Sequence, residues 1–358
     1  MRLQRIQKVL QEAGVGLALA PGEDFRYAVG WSPHADERLT WLFITPEAVH
    51  LVVPAVNAEE ARTHLGDGVP LSRYSDDAGP RLALREALDA VGRQWSWLVS
   101  DDARYDHART LEELAQRPLG FASSILGELR MQKDAEELAL LRESQRINDE
   151  AMQQAFEAMR PEMTEVELAD VIRRAFIAAG ADRDAFIIVA AGEHSALPHH
   201  TPTQRALGRG PVLLDIGCYY RGYASDMTRV AYLGEPPAKF REIHALVNRA
   251  SEAAQKVAAP GVPAAVVDRA ARAVIEAGGY GDYFVHRLGH GIGLSVHEPP
   301  SVMAGNSRLL PPDCTFSIEP GIYLPGEFGV RLEEVVINRP GGVEVLSRVP
   351  RDIYVKAV

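Results

Sequence analysis

Five short phrases between residues 211 and 336 each carry a side chain that can bind a metal ion. They are Leu214-Asp215-Ile216-Gly217, Ser225-Asp226-Met227-Thr228-Arg229, His286-Arg287-Leu288-Gly289-His290-Gly291, Ser317-Ile318-Glu319-Pro320-Gly321 and Val330-Arg331-Leu332-Glu333. Several of these phrases read as apolar strands, and a carboxylate buried in a strand is costly unless a cation compensates its charge. We therefore predict that the five phrases meet in one metal site, around which the second half of the chain folds.

Asp215 and Asp226 flank a predicted hairpin. Asp215 lies in an apolar strand, and a turn rich in Tyr, Arg and Gly separates it from Asp226. A hairpin centred between Tyr220 and Arg221 would place the two acids directly opposite each other, with Cβ atoms about 4.5–5.5 Å apart. Two facing carboxylates repel, so this arrangement requires a cation.

Glu319 and Glu333 flank a second predicted hairpin. The strand-like segments 314–319 and 330–337 enclose turn-forming residues, and the midpoint between the two acids is Gly326. Glycine and proline in this interval favour a tight reversal of the chain. We expect the two hairpins to bring all four carboxylates to the centre of one sheet.

The helical segments that precede the two hairpins repeat. Pro161 and Gly180 enclose one predicted helix, and Pro260 and Gly279 enclose another. The interval is 19 residues in both cases, and the two copies are about 99 residues apart. We infer an internal duplication that would fold as a pseudo-two-fold domain; the alternative is a chance similarity between two ordinary helical hairpins.

The chain length indicates two domains, because single cores stop growing at roughly 250–300 residues and this chain has 358. Residues 1–126 alternate predicted strands and helices, including a hairpin formed by 40–45 and 49–53, which is typical of an α/β domain. A predicted helix starts after Asp134 in the second domain, residues 127–358. We predict an α/β (α+β) fold with a pseudo-two-fold C-terminal domain and a smaller N-terminal α/β domain.

The composition excludes several classes of partner. A net charge of −11 argues against nucleic acid, since binding a polyanion requires clustered Lys and Arg. No apolar run reaches the ~18–20 residues needed to cross a bilayer, and charged residues interrupt the amphipathic segment 1–14, unlike a signal peptide. Cys218 and Cys314 form no metal-type pair and fit a reducing compartment. We expect a cytoplasmic protein without a membrane or nucleic-acid partner.

The number of acids indicates the number of metal ions. Four carboxylates carry a charge of −4, which two divalent ions would neutralise. Oxygen ligands favour Mn²⁺ or Mg²⁺, and one imidazole extends the choice to Co²⁺, Fe²⁺ or Zn²⁺. His290 is the candidate nitrogen ligand because glycines flank it and let the backbone approach the site closely. We expect two divalent ions per chain, with Mn²⁺ preferred.

These phrases resemble the ligand set of the pita-bread metallopeptidases, which include methionine aminopeptidase, aminopeptidase P and prolidase. The five matching positions are Asp215, Asp226, His290, Glu319 and Glu333. The motif match covers about residues 196–337, and the helical frame extends it to about 134–358. The N-terminal domain is similar to the creatinase-type domain of the proline-specific members through Phe25–Trp31, although Ala28 and Val29 depart from that phrase.

The resemblance implies roles for further residues. His199 matches the histidine beside the substrate, with the adjacent His200 as an alternative assignment. His297 matches the histidine that contacts the scissile peptide, and His286 matches one lining the proline side. Arg331 is similar to an arginine that orients a ligand carboxylate, an interaction that fixes ligand geometry. Two ions would activate a water, and Glu319 would transfer its proton to the leaving amine, with His297 and His199 stabilising the developing charges.

The resemblance leaves the exact substrate open. It implies a small peptide with proline in the second position and a homodimer. We favour prolidase, which cuts Xaa-Pro dipeptides, from the phrase His297-Glu298-Pro299-Pro300; aminopeptidase P, which cuts longer peptides, is the alternative. The N-terminal domain argues against methionine aminopeptidase, and the full ligand set argues against creatinase. A non-catalytic peptide-binding or protein-binding module is a remote alternative, because such proteins have lost ligands.

Overall fold

A computed structural model describes residues 2–358. The chain divides into two compact units, one ending at Arg130 and the other spanning Met131–Val358. The division therefore falls four residues after position 126. Within residues 2–358, no helix is long and apolar enough to cross a membrane.

The first unit contains one six-stranded mixed sheet with helices around it. Its helices are α1 Arg2–Ala13, α2 Glu23–Val29, α3 Ala58–Leu65, α4 Arg81–Val91, α5 Tyr105–Ala115 and α6 Ser123–Met131, with a 3₁₀ turn at Ala55–Asn57. Its strands are β1 Val15–Leu19, β2 Trp41–Ile44, β3 Val49–Pro54, β4 Leu71–Tyr74, β5 Ser96–Val99 and β6 Gly120–Phe121. The sheet order is β4-β3-β2-β1-β5-β6. The predicted hairpin is confirmed, since β2 and β3 pair antiparallel.

The second unit contains four long helices and twelve strands. The helices are α7 Ala135–Ala158, α8 Glu165–Ala178, α9 Ala238–Val257 and α10 Ala264–Ala277, with 3₁₀ turns at Gly192–Ala196 and Gly281–Tyr283. The strands are β7 Arg183–Ala191, β8 Gly210–Tyr220, β9 Tyr223–Ala224, β10 Met227–Leu233, β11 Gly289–Gly291, β12 Glu298–Val302, β13 Thr315–Ile318, β14 Gly321–Leu324, β15 Phe328–Arg331, β16 Glu334–Arg339, β17 Gly342–Val345 and β18 Tyr354–Lys356.

The helices confirm the predicted repeat. Helix α8 and helix α10 begin and end 99 residues apart, and α7 and α9 end 99 residues apart. The glycines that follow the second helix of each copy, Gly180 and Gly279, both have positive φ, of 100° and 84°. This left-handed conformation ends a helix with little strain only at glycine, so the repeat extends to the backbone of the helix ends.

The strands of the second unit form two five-stranded sheets and one two-stranded ribbon. The first sheet has the order β18-β10-β8-β7 with β9 added to β8, and the second has the order β12-β11-β13-β16-β17. The expected single sheet is therefore wrong. The two sheets approach each other where the Glu333 N–H donates to the Thr228 carbonyl at 3.2 Å. The chain leaves the regular strands beside the acids, where single backbone hydrogen bonds hold it, such as that from the Glu319 N–H to the Leu288 carbonyl at 2.9 Å.

Each pair of helices covers one of these sheets. Apolar residues of α7 and α8 share a core with β7, β8 and β10, and those of α9 and α10 share a core with β13, β15 and β16 and with the opposite face of the first sheet. Burial of these apolar faces is the main force that holds the sheets in place. The packing leaves the ends of the two acid-bearing hairpins directed toward the same region.

Candidate active site

The first hairpin turns one residue later than the sequence predicts. Arg221 and Gly222 have φ of 49° and 84°, the conformation of a two-residue turn that matches strand twist. Asp215 consequently pairs with Thr228, not with Asp226. Asp226 lies two residues before Thr228, so it is a diagonal neighbour of Asp215 on the same face, still within reach across the strands.

The second hairpin has the predicted register. The last pair between β13 and β16 is Ile318 with Glu334, and the ribbon β14–β15 continues the same register beyond it. Glu319 and Glu333 lie between these two paired regions, symmetrically about Gly326. The two acids therefore lie in a short unpaired gap between the β13–β16 ladder and the β14–β15 ribbon.

One cavity of about 470 Å³ brings the predicted site residues together. Its walls contain all five predicted metal ligands and the four other predicted residues: Asp215, Asp226, His290, Glu319, Glu333, His199, His286, His297 and Arg331. Ligand atoms of Asp226, His290 and Glu333 lie within 4.8 Å of one another. Residues that are more than 130 positions apart in sequence thus meet in one small volume.

Three carboxylate oxygens in this cavity are buried without a hydrogen-bond partner. They are Asp215 Oδ1, Asp226 Oδ1 and Glu333 Oε1. An unpartnered charged oxygen away from water costs several kcal/mol, on the order of the penalty for an uncompensated buried ion. Glu334 Oε2 also lacks a hydrogen-bond partner but lies outside the cavity lining, where Arg229 pairs with its carboxylate. Three orphaned oxygens that meet in one cavity indicate a site built for cations. The donor set fits divalent metal ions.

The ionisation of the acids leads to the same conclusion. Burial and the charge of Glu333 raise the pKa of Asp226, and burial and the charge of Glu319 raise the pKa of Glu333. Burial also opposes ionisation of Glu319, but hydrogen bonding and charge from His290 lower its pKa to about 2. Such crowded acids ionise together only beside positive charge.

His290 has the orientation of a metal ligand. Its Nδ1–H donates to the Gly291 carbonyl at 3.1 Å, so Nε2, which faces the acids, is the nitrogen that could bind a metal ion after losing its proton. Nε2 lies 3.2 Å from Glu319 Oε1 and 3.7 Å from Asp226 Oδ2. A carbonyl that accepts from the distal nitrogen is the usual partner of a ligating histidine.

Arg331 connects the acids to the surrounding structure. Its Nη2 donates to Asp215 Oδ2 at 2.6 Å, its Nε to Thr228 Oγ1 at 3.0 Å and its Nη1 to Tyr323 Oη at 2.7 Å. Thr228 in turn donates to Glu333 Oε2 at 2.7 Å. The guanidinium therefore orients one acid directly and a second acid through a hydroxyl.

His286 is a neutral part of the cavity wall. Burial lowers its pKa, and its Nδ1–H donates to the Arg287 carbonyl at 2.7 Å. Nε2 then accepts from the Tyr323 hydroxyl at 2.9 Å. Both ring nitrogens are occupied, so His286 provides surface for a substrate rather than a free hydrogen-bonding group.

The structure separates the two adjacent histidines. His199 lines the cavity, whereas the Nε2 of His200 is 2.9 Å from Glu165 Oε2, outside the cavity lining. His297 packs edge-on against the ring of His290, with centroids 4.2 Å apart. Loss of hydration and the positive neighbours lower the pKa of His297 to about 4, so it is a neutral donor at physiological pH.

Sequence reasoning missed Thr228, Tyr323 and Arg287. Thr228 could have been found from its alternation with Asp226, since residues two apart share a strand face. Tyr323 lies four residues after Glu319, but a ribbon turns it back toward Arg331, which local pattern does not reveal. Arg287 lines the cavity directly after His286, where the sequence predicts only an unspecified Arg or His near His286.

The chain is similar to known peptidases over its whole length. The model of metallopeptidase family M24 matches residues 139–339. A probable dipeptidase, PepE, of Mycobacterium tuberculosis is 36% identical over 100% of this chain and 96% of its own length. The Xaa-Pro dipeptidase of Lactobacillus delbrueckii subsp. lactis is 35% identical over 100% of both chains.

The fold is also shared with a solved structure. The prolidase from Thermococcus sibiricus superposes with a TM-score of 0.94, at 32% identity and with coverage of 99% of this chain and 98% of that one. The family model covers more than half of the chain and includes both acid-bearing hairpins. The protein therefore has the pita-bread fold and belongs to metallopeptidase family M24, a family of metal-dependent peptidases.

Proposed function

We propose that the protein is an Xaa-Pro dipeptidase, a prolidase, that hydrolyses the peptide bond before proline. The observation that carries the proposal is the cavity in which four carboxylates and one imidazole converge and three buried carboxylate oxygens lack a hydrogen-bond partner. Relatives named Xaa-Pro dipeptidase are aligned over essentially the entire chain, which supports the proline specificity.

The residues that would hold two divalent ions are Asp215, Asp226, His290, Glu319 and Glu333. When bound, the ions would lower the pKa of a water molecule and polarise the peptide carbonyl. Mn²⁺ is the proposed metal because oxygen ligands dominate. Only one ligand is a nitrogen, so the two ions would not be equivalent.

The chain's own groups would move the proton and stabilise charge. Oε1 of Glu319 accepts from Ser317, whereas its Oε2 accepts no hydrogen bond from the residues that the structure describes. Oε2 is therefore the atom proposed to take a proton from water and return it to the leaving nitrogen. His297, neutral at pH 7, and His199 would donate to the carbonyl oxygen or the leaving nitrogen as charge develops.

Arg287 supports the choice of dipeptides over longer peptides. It lines the cavity, donates to the neutral Ser301 hydroxyl at 2.9 Å, and forms no salt bridge within residues 2–358. In an Xaa-Pro dipeptide the free carboxylate is attached directly to the proline ring, where a longer peptide has an amide. A cation in the wall would favour the charged end by about 1.5–3 kcal/mol, the range for charge-assisted hydrogen bonds.

The proposal is tested with Mn²⁺-loaded protein on Ala-Pro, Ala-Pro amide and the tetrapeptide Ala-Pro-Ala-Ala. We expect cleavage of Ala-Pro and at least about tenfold lower kcat/KM for the two others, from the lost charge interaction. Arg287→Met is expected to raise KM for Ala-Pro while the matched exposed variant Arg269→Met leaves it unchanged. Exclusive cleavage of the tetrapeptide would instead identify an aminopeptidase P.

The proposal also includes the oligomeric state, the cellular compartment and the role of the N-terminal unit. We propose a homodimer in the cytoplasm, in which the unit ending at Arg130 is a creatinase-like domain that supplies the contact between subunits. The two free, buried cysteines, Cys218 and Cys314, support a reducing compartment. Light scattering coupled to size-exclusion chromatography measures the mass, and a monomer at micromolar concentration would contradict the dimer.

A further inference from the structure

Glu165 is a fully buried carboxylate outside the metal cavity, at the first position of α8. Five groups donate to it. Oε1 accepts from the Ala191 N–H at 2.9 Å and from His194 Nδ1 at 2.8 Å. Oε2 accepts from His200 Nε2 at 2.9 Å and from the N–H and hydroxyl of Thr203 at 2.9 and 2.7 Å.

These donors come from both ends of one loop. Ala191 is the last residue of β7, and Thr203 follows the two histidines of the Pro198-His199-His200 phrase. The backbone of the loop also reaches α8, because the Val166 N–H donates to the Thr203 carbonyl at 3.1 Å. One carboxylate therefore closes the segment 191–203, which carries His199 into the cavity.

The charge of Glu165 makes this closure strong. Burial opposes ionisation, but the donors from Ala191, His200, Thr203 and His194 lower the pKa of Glu165 to about 2. An ionised carboxylate is acceptor-only, so His194 carries a proton on Nδ1 and His200 carries one on Nε2. Hydrogen bonds to a charged acceptor are about twice as strong as neutral ones.

His199 lies between this closure and a second attachment. On its other side, the Pro198 carbonyl is 3.4 Å from Arg331 Nη2, the guanidinium that also binds Asp215. His200, directly after it, is held by Glu165. With both neighbours held, the backbone of His199 has little freedom, and its side chain is directed toward the cavity.

We infer that Glu165 is a positioning residue for the peptidase reaction: through His200 and Thr203 it holds the loop that presents His199 to the substrate. The residue acts without contacting the substrate or the metal ligands. A misplacement of about 1 Å at a catalytic group can reduce the rate on the order of a hundredfold. The kinetic tests of this inference rest on the proposed function, and the hydrogen–deuterium exchange test does not.

A metal ion bound by Glu165, His194 and His200 is the competing interpretation, since their ligand atoms lie within 4.8 Å of one another. The carboxylate argues against it. Three of its five hydrogen bonds come from Ala191 and Thr203, which are not metal ligands and already occupy both oxygens. A cation would have to displace the N–H groups of Ala191 and Thr203 from the carboxylate.

The first test replaces His200. Without it, the buried Glu165 carboxylate still has its other donors, so the substitution does not leave an unpaired charge. His200→Leu is expected to lower kcat on Ala-Pro by about 10–100-fold, the usual effect of losing a residue that orients an active group, with a much smaller change in KM. His200→Gln retains a nitrogen donor near the position of Nε2 and is expected to remain within about threefold of the wild type. Equal loss in both variants would overturn the inference.

A double-mutant cycle separates positioning from a general structural effect. In a His199→Ala background, His200→Leu should cause no further loss of kcat, because the group that it positions is already absent. The same fold-loss in both backgrounds would overturn the inference. Two metal equivalents should remain bound in His200→Leu, and the loss of one equivalent would show that the cluster is a metal site instead.

Hydrogen–deuterium exchange gives a readout that does not require activity. In Glu165→Gln, an NH₂ group replaces one carboxylate oxygen. It must then face the backbone N–H of Ala191 or of Thr203, and two donors cannot form a hydrogen bond. We expect at least tenfold faster exchange in peptides covering 196–204 in Glu165→Gln and in His200→Leu, with β8 unchanged. Unchanged exchange in both variants would overturn the positioning role of Glu165, whereas a wild-type protein inactive on Ala-Pro would overturn only the proposed function.

Discussion

At the scale of single residues, Asp226 shows the conflict between stability and metal binding. Burial, and after it the charges of three neighbouring acids, raise its pKa. Asp226→Asn removes a charge without changing shape, so the metal-free variant should be as stable as the wild type or up to about 1 kcal/mol more stable. Its metal content should fall and its activity should decrease at least about a hundredfold.

Urea denaturation after chelation and elemental analysis measure these two effects of Asp226→Asn. The exposed Asp67→Asn serves as the matched control and should change neither. A metal-free variant that is several kcal/mol less stable than the wild type would show that Asp226 has a structural partner and would contradict the metal-site interpretation.

The role of Arg331 depends on the planar shape of its guanidinium group as well as on its charge. Its nitrogens donate to Asp215, Thr228 and Tyr323 in different directions, and a lysine ammonium cannot reproduce this planar set. Arg331→Lys should therefore weaken metal binding by about 10–100-fold, and Arg331→Met should also destabilise the fold by about 3–5 kcal/mol by leaving a buried acid unpaired.

Competition with a fluorescent chelator measures the metal affinity of the Arg331 variants. Arg339→Lys is the control, because its ion pairs with Asp313 and Glu344 are partly exposed to solvent and such pairs contribute about 0–1 kcal/mol. Full retention of affinity in Arg331→Lys would show that charge alone suffices.

At the scale of elements, the turn between β8 and β9 sets the register of the first acid pair. Gly222 has a φ of 84°, which costs a residue with a Cβ atom about 1–2 kcal/mol. Gly222→Ala should lower the free energy of unfolding by that amount. Arg221→Asn, at a φ of 49°, should be neutral or stabilising because asparagine tolerates this conformation.

Urea denaturation of both turn variants tests this assignment. The register itself should survive, since β8 is buried on both faces and a slip of one residue would move each of its side chains to the opposite face of the sheet. A stable Gly222→Ala protein with wild-type unfolding energy would contradict the turn conformation.

The start of α8 contributes a pH-dependent stability. The folded-state pKa of Glu165 is about 2, against an ordinary value of 4.5. An acid whose pKa is lowered by folding stabilises the protein fully at a pH above its unfolded-state pKa. This stabilisation is lost as the pH falls through its folded-state pKa. Between pH 4.5 and 2 the wild type should therefore lose on the order of 3 kcal/mol that originates from Glu165.

Metal-free wild type and Glu165→Gln, compared by denaturation across this pH range, isolate that contribution. The variant should be less stable at pH 6 and should approach the wild type at pH 2, since the other acids are common to both. A constant difference over the whole range would refute the assignment of the stabilisation to the ionised Glu165.

At the scale of the whole molecule, metal binding should stabilise the unit Met131–Val358. A ligand at a hundred times its dissociation constant adds about 2.7 kcal/mol, which corresponds to roughly 5–10 °C in Tm for a unit of this size. Chelation should lower the Tm by this amount and Mn²⁺ should restore it. Calorimetry of Glu333→Gln, which lacks one ligand, should show little response, and an equal response would exclude Glu333 from the site.

The repeated helices and the second hairpin could be predicted because their signals are local. Proline and glycine end α8 and α10 at the same interval, and Gly326 lies at the centre of a turn whose two arms have matching patterns. The first hairpin was predicted one residue out of register, because Tyr220, Arg221 and Gly222 all permit a turn. Only the left-handed conformations of the last two residues decide between the possibilities.

The sequence by itself determined which side chains could bind metal, because acids in apolar strands and a glycine-flanked histidine are chemically unusual wherever they lie. Only the tertiary structure decided how these side chains meet. It joined two hairpins about a hundred residues apart, directed Tyr323 and Arg331 to the acids, and assigned His199 to the cavity and His200 to Glu165. Such contacts depend on how helices and sheets pack over long sequence distances, and no local pattern encodes that packing.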